Sequence, residues 1–80
     1  MDTYTAVKIR LLELCDKNRM SIHKLALVSA VSPSTIKNIL YGKSKNPGVV
    51  TIKMLCDGLG ITLQDFFDAP VFYQLEQEIK

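Results

Sequence analysis

Between Pro33 and Tyr41 the chain carries Ser34, Thr35, Lys37, Asn38 and Tyr41, set around Ile36, Ile39 and Leu40. An amide that donates and accepts, an ammonium and several hydroxyls suit hydrogen bonding to a polar or anionic partner. They do not suit catalysis. His23 is the only histidine, and no carboxylate stands near it in the sequence. No Gly-rich phosphate loop, paired-cysteine motif or plausible triad accompanies it. Cys15 and Cys56 are too few and too far apart for a zinc site and sit in apolar helical patterns. They are expected to be reduced core thiols. The chain therefore reads as a non-enzyme without cofactor or metal.

Two short helices must hold that polar face. Ile22, Leu25, Ala26 and Val28 recur at three- and four-residue spacing, with Ser21 placed to cap them. Ser32 is a second capping hydroxyl, and Pro33 follows at the first helical position, where its missing N–H costs nothing. Ile36, Ile39 and Leu40 then face inward, and Gly42 closes the helix as its C′ residue. Only Ser29, Ala30 and Val31 join the two segments. So short a link makes the helices cross steeply, Ala26 lets them approach and Val31 plugs the space between. Residues 21–41 thus form a helix-turn-helix, whose second helix suits the major groove of DNA.

Charge is distributed accordingly. From Lys17 to Cys56 the chain has seven cations and no acid, whereas all eight acidic residues lie in the flanks. Such segregation suits a polyanion against the middle of the chain. Eighty residues make one domain. No apolar run is long enough to span a membrane and no signal peptide is evident, so a cytoplasmic location is expected.

Around the motif the pattern predicts only helices. Thr3 to Lys17 buries Val7, Leu11, Leu14 and Cys15, with Asp2 or Thr3 as cap. Ile9 and Leu12 fall roughly 120–180° from that stripe and need a cover or a partner. Val49 to Leu59 turns Val49, Ile52, Leu55, Cys56 and Leu59 inward. Leu63 to Asp68 begins with Thr62 and Asp65 close to a capping box, and Leu63, Phe66 and Phe67 fill the end of the core. Pro70 stops it. Beyond, Val71, Phe72, Leu75 and Ile79 fall on one helical face, giving a domain at 1–69 and an apolar extension at 70–80.

The ordered set Leu25-Ala26, Val31-Ser32, Ser34-Thr35-Ile36, Tyr41-Gly42-Lys43, Asn46-Pro47, Leu59-Gly60-Ile61 and Phe66-Phe67 resembles the lambda-repressor-like (Cro-type, XRE-type) DNA-binding domain. The resemblance covers roughly residues 6 to 68. It implies an all-α, five-helix fold, here with a short additional C-terminal helical segment. It also implies that Pro33, Ser34, Lys37 and Asn38 face base edges. Asn38 would pair with adenine and Lys37 would donate to guanine. Ser21, the backbone N–H of Ile22, Thr35, Tyr41, Lys43 and Lys45 would hold phosphates. Four departures stand out. Ala30 replaces the usual turn glycine, Ile22 a glutamine that touches the DNA backbone, and Gly48 a minor-groove arginine. Cys15 and Leu40 stand where many relatives have a buried arginine–glutamate pair, and are expected to be buried close together instead.

Two functions follow from this reading. One is sequence-specific binding of double-stranded DNA by a transcriptional regulator without an effector domain, acting as a homodimer on a palindromic operator. Its dimer surface would be Ile9, Leu12, Phe72, Leu75 and Ile79. The other is a protein-interaction module, antitoxin-like or an adaptor, that keeps the fold without strong DNA binding.

Overall fold

Five α-helices and no strand make up the described residues, 1–79, of the computed structural model. They are α1 (Thr3–Lys17), α2 (Ile22–Ser29), α3 (Pro33–Leu40), α4 (Val49–Leu59) and α5 (Leu63–Phe67), followed by a 3-10 turn at Pro70–Phe72. Capping explains most of the boundaries. Asp2 accepts from the Thr5 amide at 2.8 Å, Ser21 from Lys24 at 3.1 Å and Ser32 from Thr35 at 3.2 Å. Hydrogen bonding to Thr5 holds the Asp2 carboxyl below its ordinary range, aided by the amino terminus and Lys45. Thr62 and Asp65 complete a reciprocal capping box.

The core gathers Leu11 and Leu14 of α1, Leu25 of α2, Ile36 and Ile39 of α3, Leu55 and Cys56 of α4, and Phe66 of α5. Within it α2 crosses α4 at close range. Ser29 is buried there, its hydroxyl donating to the Leu25 carbonyl and accepting from the Val31 amide at 3.4 Å. Opposite stands Gly58, where an added Cβ would lie 2.8 Å from Ser29 Cβ and 3.0 Å from its backbone nitrogen. Only glycine allows the two backbones so near.

Several expected core positions are not in the core. Val28 and Val49 are 40 % and 64 % exposed. On α2, Ser29 takes the inward place four residues after Leu25, which turns Val28 outward. Val49 sits in the first turn of α4, before its first buried residue, Ile52. Cys15 and Leu40 are half-buried rather than buried, each packed against the core's edge. Burial raises the thiol pKa of both Cys15 and Cys56, which are free thiols.

Phe67 is exposed along one side and meets Phe66 and Phe72 at ring-centroid distances of 4.9 and 5.0 Å. The end of the core is thus an aromatic cluster that borrows Phe72 from the extension. That extension does not form the expected helical stripe. Ala69 is extended, one 3-10 turn follows, and the chain then runs back to the start of α1. The Glu76 amide donates to the Met1 carbonyl at 3.0 Å, and the Thr3 hydroxyl to Glu78 at 2.8 Å. These bonds replace the helical ladder, and Lys80, the last residue of the extension, lies outside the described residues. Arg10 provides a second tie between distant segments: its guanidinium donates to the Phe66 and Asp65 carbonyls at 2.7 and 2.8 Å, closing the end of α5.

Candidate nucleic-acid interface

Ile36 and Ile39 pin α3 to the core and so turn Ser34, Thr35, Lys37 and Asn38 to solvent. Pro33, at the first helical position, is half-buried. The Ser32 and Thr35 hydroxyls share one hydrogen bond at 2.9 Å. Two hydroxyls bring two hydrogens, so one remains to donate outward. The side chains named from the sequence as base-facing thus share one surface with Thr35.

Ahead of α3, Ala30 makes the turn in the left-handed region, at φ 57° and ψ 28°. The alanine adopts a geometry that glycine reaches without penalty, so its Cβ is strained. Ser21 uses a lone pair on the Lys24 amide, which leaves its own hydrogen for an acceptor outside. Ile22 buries part of its side chain against the core, while its amide belongs to the first turn of α2, where N–H groups lack intrahelical partners.

Beyond α3, Tyr41 is the C-cap and Gly42, at φ 85°, turns the chain into the loop. The Ser44 amide donates back to the Asn38 carbonyl at 2.9 Å, and the Tyr4 hydroxyl to the Ile39 carbonyl. Tyr41, Lys43 and Lys45 are exposed. Among the described residues the ion pairs are the amino terminus with Glu76 and Lys53 with Asp57. Of the seven cations in the acid-free stretch, Lys53 alone enters one of these pairs.

The five residues named for a dimer surface are divided. Phe72 packs on its own core, and Ile9 and Leu75 are half-buried; Leu12 and Ile79 are exposed, Ile79 to 81 %. An open groove of about 720 Å³ runs between the start of α1, the loop before α4 and the extension, past Tyr4, Lys45, Pro47 and Val49. No group of three or more His, Cys, Asp or Glu side chains among the described residues is placed to hold a metal ion. None of the described helices is long and apolar enough to cross a membrane.

Sequence reasoning missed Tyr4, Ser29 and Gly58 as elements that position the face, and Arg10 as the tie between α1 and the end of α5. Only Gly58 carried a signal, a glycine inside a helical pattern, which often marks a close approach.

The model of the Cro/C1-type HTH DNA-binding domain matches residues 10–70. The chain is similar to the crystal structure of the prophage Lp1 protein 11, with 33 % identity, a TM-score of 0.78, and coverage of 94 % of this chain and 100 % of that one. No curated protein sequence matches it significantly.

Proposed function

Because the chain belongs to the Cro/C1-type helix-turn-helix DNA-binding domains, we propose that it is a small transcriptional regulator reading double-stranded DNA through α3 in the major groove. The observation that carries this reading is the α3 surface itself. Its polar side chains all point away from a core that two isoleucines lock in place, inside a segment without a single acid.

On this reading Lys37 and Asn38 select bases, Ser34 tolerates several, and the Pro33 ring meets a thymine methyl. Ser21, the Ile22 amide, Thr35, Tyr41, Lys43 and Lys45 grip phosphates and set the register. Two copies joined through Leu12, Ile79 and the neighbouring extension would place two recognition helices about 34–36 Å apart, matching a palindromic operator.

Selection of bound sequences from random duplexes, followed by titration in salt, tests the reading. Enrichment of one motif is expected, with affinity falling steeply as salt rises. Binding indifferent to salt and sequence would overturn it. The exposed Leu27 of α2 and Val50 of α4 favour the second reading, a protein-interaction module, which that outcome would support.

A further inference from the structure

The last turn of α3 ends with carbonyls that no intrahelical amide can reach. Three partners take them. The Tyr41 amide donates to Lys37 at 2.8 Å and the Ser44 amide to Asn38 at 2.9 Å. The third donor is the phenol of Tyr4, 35 residues away in α1, which bonds the Ile39 carbonyl. Its ring is packed against the core, with Lys8 Nζ 5.8 Å from the ring centroid. The same hydroxyl stands 3.9 Å from where a Cβ on Gly42 would be. That oxygen therefore caps the end of α3 close to the left-handed residue that launches the loop.

We infer that Tyr4 is a positioning residue for the phosphate-gripping loop at Lys43 to Lys45, an inference that rests on the DNA-binding reading above. The phenol closes the end of α3, Gly42 turns the chain at φ 85°, and the Ser44–Asn38 bond fixes the loop before DNA arrives. A loop already ordered loses less entropy on binding. Without the hydroxyl, the Ser44 bond opens more often and both lysines must be ordered at the moment of contact. Tyr4 touches no base, so its effect is the same on every duplex.

Tyr4→Phe keeps the ring and its packing and removes only the oxygen. Hydrogen exchange of the Ser44 amide is compared by NMR with that of Met20, whose amide bonds Cys15 at 2.8 Å in the turn after α1. Ser44 exchange is expected to quicken about two- to tenfold, the worth of one hydrogen bond, while Met20 is unchanged. The Kd for the selected duplex and for a random one should rise by a common factor of the same size. Unchanged Ser44 exchange would overturn the inference. So would equal acceleration at Ser44 and Met20, the mark of general destabilisation, or a loss confined to the selected site. If the unmodified protein binds no duplex, the DNA reading falls, and Ser44 exchange still decides whether the phenol holds the loop.

Discussion

Replacing Gly58 with alanine sets two physical effects against each other. Helix propensity favours the change by about 1 kcal/mol in a helix interior, and by less at this penultimate position of α4. Packing opposes it. The new Cβ would lie 2.8 Å from Ser29 Cβ and 3.0 Å from both Ser29 Cα and its nitrogen. Ser29 has no flexible end to swing aside, since these atoms are backbone or attached to it. α2 must move as a body, and overpacking of this kind costs about 1–3 kcal/mol. With backbone in the clash the upper half of that range applies, leaving a net loss of about 1–2 kcal/mol after the propensity gain. For a domain of this size each kcal/mol lowers Tm by about 4–8 °C. Thermal and urea unfolding followed by circular dichroism measure it. A Gly58→Ala protein melting at or above the parent temperature would refute the argument, because propensity would then outweigh the crossing. DNA affinity measured well below Tm should fall as well, since displaced α2 carries the turn that aims α3.

Ala30→Gly should stabilise, because relief of left-handed strain of about 1–2 kcal/mol exceeds the entropy cost of glycine at about 0.5–1 kcal/mol; a urea midpoint that does not rise would contradict the strain. Lys43→Ala should lower the log–log salt slope of DNA binding by about 0.9 and leave the selected motif intact, whereas an altered motif would show that Lys43 reads bases. Asn38→Ala should cost about 1–3 kcal/mol on the preferred site and relax choice at one base pair. An equal loss on all duplexes in a competition assay would assign Asn38 to the backbone instead.

The helix-turn-helix was legible because its signals are local. Ser21, Ser32 and Thr62 announce helix starts through hydroxyls that cap their own neighbours, and Pro33 and Gly42 bracket α3 by backbone chemistry alone. The outward face of α3 followed from the isoleucine spacing. Apart from Val28 and Val49, whose exposure is a matter of helical register, what failed depended on contacts between distant segments. Val71, Phe72, Leu75 and Ile79 have helical spacing, yet the bonds of Glu76 and Glu78 to the start of α1 draw the chain out of a helix. Arg10 read as a flank charge because nothing in its neighbourhood shows the carbonyls of Asp65 and Phe66. Ser29 looked like a link residue; its hydroxyl satisfies itself on Leu25 within α2, which makes burial inexpensive. The phosphate and base assignments go beyond geometry, since an exposed side chain does not name its ligand.

The Ser44 amide bonds the carbonyl of Asn38, not its side chain. That bond is indifferent to which amino acid occupies position 38. If position 38 reads a base, as proposed, its residue could be exchanged for almost any helix-compatible one while the loop keeps its anchor. On the DNA-binding reading proposed above, mutation could therefore retarget the protein to a new operator one base at a time, with the loop's grip on phosphates intact while its preference drifts.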